Sequence, residues 1–144
     1  MKEYFAKLKY LFRWRDLAFT LVLFSLILIV AFARADDMMQ VSFGETALDV
    51  TTNRYGLNVP YDMIASVEIG QVDKNDKILE GKGDIALRTG HFVSEAWGEY
   101  YGCIDLQTTT CIVIELDDGR IFVFSHKSDE TVAEEFARLQ GYLK

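Results

Sequence analysis

Hydrophobic and polar positions follow two different patterns along this chain. From Leu17 to Ala33 the sequence reads LAFTLVLFSLILIVAFA, which carries no charge and has only the hydroxyls of Thr20 and Ser25 as polar side chains. Beyond Met39, apolar and polar residues alternate in short runs separated by Gly, Asn and Asp, which is typical of β-strands joined by turns. The patterns therefore predict an apolar helix followed by a β-rich domain.

The uncharged run has the composition and flanks of a membrane-spanning helix. At 1.5 Å per residue its 17 positions extend over ~26 Å, slightly less than the ~30 Å hydrocarbon core of a bilayer. Arginine side chains at its ends can reach the headgroups, and a tryptophan suits the interface. We predict a transmembrane signal anchor over residues 17–35. Its anchoring residues are Leu17, Leu21, Phe24, Leu28 and Ala33, and its interfacial residues are Arg13, Trp14, Arg15 and Arg34.

The charges on either side of this helix predict its orientation. Residues 1–16 carry five Lys or Arg, whereas Arg34 is followed by two aspartates. Positively charged flanks tend to stay in the cytoplasm. We therefore expect residues 1–16 to form a basic cytoplasmic leader, and residues 36–144 to form an extracytoplasmic domain on a single-pass protein of the cell membrane.

A cleaved signal peptide is the alternative to this anchor. The residues Ala33-Arg34-Ala35 match the small-x-small pattern that precedes a cleavage site. Cleavage after Ala35 would release a secreted domain.

The alternation beyond Met39 predicts eight short strands. Gly90 and Gly98 mark expected breaks, and the polar stretch Gly70–Gly83 is expected to be a loop. The predicted strands are Ala47–Thr51, Leu57–Tyr61, Ile64–Ile69, Ile85–Arg88, Phe92–Glu95, Tyr100–Leu106, Cys111–Leu116 and Ile121–Ser125.

The clearest local signal is the hairpin around Asp118-Gly119, since Asp-Gly accepts the positive φ angles of a two-residue type I′ turn. Such a loop would place Leu116 opposite Ile121 and Ile114 opposite Val123, on a core-facing side.

The chain ends in a predicted helix over residues 129–143. Ser128 or Asp129 can cap its first turn. Apolar residues recur at helical spacing along one face, which should pack on the sheets. These residues are Val132, Phe136, Leu139 and Leu143.

This order of elements resembles the bacterial pleckstrin-homology-like (PH-like) domains of small membrane proteins. The residues that carry the resemblance are VPYDMIASVEI (Val59–Ile69), RTGHFVSEAWGEYYG (Arg88–Gly102), CIVIELDDGRIFVFS (Cys111–Ser125) and the final helix ending in LQGYL. The resemblance implies an α+β domain: a PH-like antiparallel β-sandwich or barrel of about seven strands, capped by the C-terminal helix. Members of that family often carry two transmembrane helices and an inward-facing domain, whereas this chain has one predicted helix.

The charge distribution argues against nucleic-acid and phosphoinositide partners. Residues 1–35 carry six Lys or Arg against two acidic residues, which leaves nine against twenty in residues 36–144. So acidic a domain is repelled by phosphate groups, and the first hairpin loop offers Arg54 as its one basic residue. His91 and His126 are each isolated from other metal-ligating residues, so no metal or cofactor is predicted.

Two further groups of residues suggest candidate sites. Cys103 and Cys111 flank a predicted hairpin and would be opposed if its pairing were centred on Gln107, which makes a disulfide one alternative and two buried thiols the other. Trp97, Tyr100 and Tyr101 lie between glycines and would either contact a partner or fill the β core.

No catalytic motif is present, so the leading hypothesis is a non-enzymatic interaction or scaffolding module. Its expected partners are the lipid bilayer and either another protein or a second copy of the chain. The alternative is a domain that binds a small ligand or peptide between its sheets.

Overall fold

The structure, a computed structural model, describes residues 17–30, 39–83 and 86–143. The chain forms two compact units, Met1–Asp37 and Met38–Lys144. The described part of the first unit is helix α1, residues 17–30, which confirms helical structure in the apolar run. Its large apolar side chains are exposed, from 42% for Leu28 to 69% for Phe19. Within the described residues no helix combines the length and the apolarity needed to cross a bilayer.

Several predicted features of the first unit lie outside the described residues. They are the basic leader, residues 1–16, the anchoring residue Ala33, the cleavage junction at Ala35 and the interfacial residues Arg13, Trp14, Arg15 and Arg34.

The described part of the second unit has nine strands and a C-terminal helix. This confirms the predicted α+β class. A 3-10 turn, Tyr61–Met63, lies between the third and fourth strands. The elements are β1 (Met39–Phe43), β2 (Ala47–Thr52), β3 (Gly56–Pro60), β4 (Ile64–Gln71), β5 (Lys77–Gly83), β6 (Leu87–Ser94), β7 (Gly98–Asp105), β8 (Thr110–Leu116), β9 (Ile121–Ser125) and α2 (Asp129–Tyr142).

The strands form two sheets. The first is a three-stranded antiparallel meander in the order β1-β2-β3, and the second has six strands in the order β4-β8-β9-β7-β6-β5. In the three-stranded sheet Leu48, Val50, Leu57 and Val59 are buried and alternate with more exposed neighbours. This period of two gives the meander one core-facing side.

Strands β8 and β9 are buried on both faces. Ile112, Ile114 and Phe124 belong to one core cluster, which also contains residues of the three-stranded sheet and of α2. Val113 and Val123 belong to a second cluster with Phe92 and Tyr100 of the six-stranded sheet. Burial on both sides explains why these two strands read as nearly continuous apolar runs.

The six-stranded sheet contains a parallel pair, which corrects the prediction of about seven antiparallel strands. Strand β9 lies between β7 and β8, antiparallel to β8 and parallel to β7, with Cys103 opposite Phe124. The chain leaves β7, skips one position to form β8, and returns between them. The hairpin predicted between Cys103 and Cys111 is therefore absent.

The stretch Gly70–Gly83 was predicted as a loop, and this prediction is wrong for its second half. Residues Lys77–Gly83 form β5, which pairs antiparallel with β6 at the edge of the sheet. Residues 77–81 are exposed, and an edge strand with both faces solvated shows no apolar alternation. The predicted break at Gly90 is also wrong, because β6 runs unbroken from Leu87 to Ser94.

The hairpin between β8 and β9 has a register one residue away from the predicted one. Ile114 lies opposite Phe122, and Val113 opposite Val123. The Gly119 amide donates to the Leu116 carbonyl at 2.9 Å, and the Leu116 amide donates to the Arg120 carbonyl at 2.9 Å. These bonds enclose a three-residue loop in which Gly119 has φ +82°, the type I turn with a left-handed glycine that also suits Asp-Gly.

Helix α2 begins at Asp129, and its cap is Ser128, one of the two predicted candidates. The Ser128 hydroxyl accepts a hydrogen bond from the Thr131 amide at 3.2 Å. Val132 and Leu139 of the predicted apolar face are buried, Phe136 is half-buried, and Leu143 is 38% exposed.

The Asp129 carboxylate joins the start of α2 to the β7–β8 connection. It accepts four hydrogen bonds, from the amides of Thr109 (2.8 Å) and Thr110 (2.9 Å) and from their hydroxyls (2.6 and 2.9 Å). These donors, the Thr109 hydroxyl first, hold the pKa of Asp129 well below its ordinary value.

We expect Asp129→Asn to flatten the acid dependence of stability. A carboxyl whose folded pKa is lowered contributes stability above its unfolded pKa of ~3.9, and that contribution is lost as pH falls. The variant should therefore unfold at a lower temperature than wild type at pH 7, and the difference should shrink steadily as the pH falls below the unfolded pKa. Thermal unfolding followed by circular dichroism checks this, with the exposed Asp62→Asn as control. A constant difference between wild type and Asp129→Asn at every pH would contradict it.

Candidate functional site

The candidate site is a surface pocket of about 450 Å³ in the β domain. It lies where the β2–β3 turn approaches strands β5, β6 and β7. Its lining combines two glycines with aromatic, charged and hydroxyl side chains. These residues are Arg54, Tyr55, Glu80, Gly81, Thr89, Gly90, His91 and Tyr101.

Two paired glycines, Gly81 and Gly90, form one part of this lining. They lie opposite each other in the β5–β6 ladder, with φ angles of +132° and +133°. A Cβ atom on Gly81 would lie 2.2 Å from the Thr89 carbonyl oxygen, and one on Gly90 would lie 2.2 Å from the Glu80 carbonyl oxygen. Only glycine suits this close approach of two backbones, which keeps side chains away from this part of the pocket.

An aromatic pair forms the adjoining wall. The rings of His91 and Tyr101 stack with centroids 4.6 Å apart and an angle of 9° between their planes. The Nε2 atom of His91 lies 3.3 Å from a carboxylate oxygen of Glu99, and Tyr101 also contacts Phe122 with ring centroids 5.9 Å apart. Because these neighbours position both rings, the wall offers a pre-formed aromatic surface.

The opposite rim is the tight turn between β2 and β3. The Thr52 hydroxyl donates to the Tyr55 carbonyl at 2.8 Å and accepts from the Tyr55 amide at 3.0 Å. These bonds fix the turn that presents Arg54 and Tyr55 to the pocket. Burial, together with the negative charges of neighbouring groups, raises the pKa of Tyr55 to about 12. Its hydroxyl therefore stays protonated at neutral pH and is able to donate a hydrogen bond.

The pocket carries two exposed side chains of opposite charge, Arg54 and Glu80. Among the described residues, neither forms an ion pair within 4.0 Å. Within the described part of the chain, a bound molecule can therefore use both charges without breaking an existing pair. This arrangement is suited to binding: it offers a cation, an anion, a neutral hydroxyl and an aromatic face in one cavity.

The three aromatic residues predicted as a partner-contact patch do not form one surface. Tyr100 is fully buried. Trp97 packs on β4, where its ring would lie 2.6 Å from a Cβ atom on Gly70, and it contacts Tyr100 edge-on with centroids 5.6 Å apart. Trp97 is half-buried, and Tyr101, which is 36% exposed, lines the pocket.

A buried polar network explains the position of Tyr100. Its hydroxyl donates to the Asp76 carboxylate at 2.7 Å. The Arg88 guanidinium donates to the carbonyls of Lys74 (3.0 Å) and Asp76 and lies 5.0 Å from the centre of the Phe92 ring. Burial raises the pKa of Asp76. The network holds the β4–β5 connection against the sheet and thereby supports the strand that carries Glu80 and Gly81.

The two cysteines are free and buried, so of the two alternatives predicted for them the structure has the buried thiols. Strand β9 separates β7 from β8, and Cys103 and Cys111 belong to different core clusters. Burial raises the pKa of each thiol to about 12, so neither is an effective nucleophile at neutral pH.

Metal-ligating side chains are dispersed. In the described part of the chain, no three His, Cys, Asp or Glu side chains are placed to hold a metal ion. His126 Nδ1 lies 2.7 Å from Glu135 on α2, with both side chains largely buried, and this pair joins the end of β9 to the helix.

Sequence reasoning singled out Tyr101 and Arg54 but missed most of the pocket. Glu80 and Gly81 lie in the stretch predicted as a loop, and Gly90 lies at a predicted strand break. The available signal was a glycine in each of two strands that could pair, which is typical of close backbone approach.

Comparisons with known proteins identify no relative. No protein-family model matches the chain, and neither a curated protein nor a solved structure matches it. The resemblance to bacterial PH-like domains therefore stays a prediction.

Proposed function

We propose that this chain is a non-enzymatic binding protein whose β domain binds a ligand in the surface pocket described above. We also propose that its apolar segment holds the domain at a membrane. The observation that carries the binding function is the pocket itself. Arg54, Tyr55 and Glu80 line one cavity of about 450 Å³ together with the His91–Tyr101 wall. This volume and this mixture of groups are typical of small-molecule sites.

Binding is favoured over cysteine-based catalysis by the state of the two thiols. Both thiols are buried, with pKa values raised to about 12. His91, the pocket's imidazole, is stacked on Tyr101 and lies beside Glu99. These contacts hold its ring in place as part of the pocket wall.

Attachment to a membrane is supported by the apolar run and by the charges around it. The apolar side chains of α1 are exposed, and so large an apolar surface is unfavourable in water. The basic residues precede this run and the acidic domain follows it. We propose that residues 17–35 form a single-pass anchor, with the domain on the extracytoplasmic face.

A distant relationship to the bacterial PH-like domains is part of this proposal. Its support is the succession of a short meander, a larger sheet and a C-terminal helix. The parallel pairing of β7 with β9 departs from what the resemblance implies.

The binding function is tested by mapping small probes onto the domain with amide NMR. Isotope-labelled full-length protein in detergent micelles is titrated with four probe sets: aromatic carboxylates, aromatic amines, free amino acids and monosaccharides. We expect at least one set to shift the amide signals of Gly81, Gly90 and His91 without shifting that of Gly119, which lies in the β8–β9 turn. The absence of any shift in the pocket with all four sets would contradict the proposal.

A further inference from the structure

We propose that the pocket binds a free aromatic amino acid as its zwitterion, with the α-carboxylate on Arg54, the α-ammonium on Glu80 and the ring against Tyr101. This inference rests on the proposed binding function and specifies its ligand. It follows from the size of the cavity, its two charges, its aromatic wall and the net charge of the domain.

The size of the cavity limits the ligand to a small molecule. A volume of about 450 Å³ is near the lower end of the ~300–1,000 Å³ range of ligand pockets. It holds one ring with a short charged substituent, whereas a dinucleotide or a folded peptide would extend well beyond it.

The paired charges favour a ligand that carries both signs. A guanidinium binds a carboxylate through two parallel hydrogen bonds, and the Glu80 carboxylate accepts hydrogen bonds from an ammonium group. A ligand with one charge would leave either Arg54 or Glu80 without a partner at the edge of the pocket. The Tyr55 hydroxyl supplies a further donor to the ligand carboxylate.

The net negative charge of the domain also favours a zwitterion over an anion. Residues 36–144 carry nine Lys or Arg against twenty acidic residues, so a simple anion is repelled as it approaches. A zwitterion has no net charge and is not subject to this long-range repulsion. The two local charges then orient it inside the pocket.

The aromatic wall selects the side chain. Tyr101 is 36% exposed and stacks on His91 with ring centroids 4.6 Å apart, so part of its ring is accessible to a ligand. Aromatic pairs at centroid separations of roughly 4.5–7 Å attract each other beyond the burial of their area. An aliphatic amino acid would retain both charged contacts and lose the aromatic contact with Tyr101.

Calorimetric titration of the full chain in micelles tests the assignment, with L-phenylalanine as the probe. Phenylalaninamide lacks the carboxylate, N-acetylphenylalanine lacks the ammonium, and leucine lacks the ring. We expect each of the first two analogues to bind at least about tenfold more weakly than phenylalanine, and leucine to bind a few-fold more weakly.

Two variants assign each ligand group to its side chain. Arg54→Gln should abolish the difference between phenylalanine and phenylalaninamide, and Glu80→Gln should abolish the difference between phenylalanine and N-acetylphenylalanine. Lys74→Gln and Glu45→Gln, which change exposed charges outside the pocket lining, serve as controls and should leave all three affinities unchanged. The analogue series on wild type gives an answer even if a variant does not fold.

The possible failures are distinguishable. If phenylalanine does not bind at millimolar concentration, or N-acetylphenylalanine binds as well as phenylalanine, the zwitterion assignment is overturned. If another probe set then shifts Gly81 and Gly90, the pocket remains a binding site for a different class of ligand. If no probe shifts these residues, the assignment and the proposed binding function fail together.

Discussion

Replacing Gly90 by alanine is expected to destabilise the domain by about 3 kcal/mol, the largest effect that we predict for a single methyl group in this chain. The backbone φ of +133° is one that a side-chain-bearing residue adopts only with strain. The new Cβ atom would also lie 2.2 Å from the Glu80 carbonyl oxygen and 2.7 Å from the Gly81 Cα atom. Both contacts are with backbone, so no side-chain rotation relieves them, and strands β5 and β6 must separate.

A second glycine, which has a positive φ but open space around it, serves as the comparison. Gly98 also has a positive φ, +72°, but a Cβ atom there would meet nothing within 4 Å. Gly98→Ala should therefore cost only the conformational strain, about 1 kcal/mol. Urea unfolding of both variants, followed by near-ultraviolet circular dichroism, measures the difference. Equal losses of stability would show that the close approach of Gly81 and Gly90 is not what requires glycine.

The sequence predicts those elements of the fold whose signal is local. The apolar spacing from Val132 to Leu139 and the capping Ser128 are enough to define helix α2. Strands β2 and β3 alternate regularly because one face of the meander is buried and the other is solvated. In these cases each residue's environment follows from its neighbours in the chain.

Features that depend on pairing between strands far apart in the sequence could not be predicted from local patterns. Strand β5 is solvated on both faces, so residues 77–81 carry no alternation, and only pairing with β6 makes them a strand. The sequence Asp118-Gly119 is compatible with both a two-residue and a three-residue loop. The choice between them changes the register of the hairpin by one residue. The insertion of β9 between β7 and β8 depends on contacts that no local pattern records.

The pocket is likewise a feature that depends on residues distant in the sequence. Its lining comes from the β2–β3 turn and from three strands of the other sheet. Arg54 and Glu80 are separated by 26 positions in the sequence and are brought to one cavity only by the packing of the two sheets. Individual residues, such as Tyr101, drew attention as aromatic side chains, but their grouping was not visible.

Charging the apolar segment is expected to abolish association with membranes. Phe24→Asp combined with Leu28→Asp places two carboxylates in the middle of the run Leu17–Ala33. Each costs about 2.5–3.5 kcal/mol near the centre of a membrane-spanning helix, or about 6 kcal/mol for the pair. The matched control exchanges the same two residues, Phe24→Leu with Leu28→Phe, which keeps composition and charge constant.

The most direct test of the central claim, that an apolar segment holds an acidic binding domain at a bilayer, is flotation of membranes from expressing bacterial cells through a density gradient after alkaline washing. We predict that the wild-type chain and the exchange control rise with the lipid fraction, while the double aspartate variant stays at the bottom. Recovery of the uncleaved wild-type chain at the bottom, free of lipid, would contradict the account.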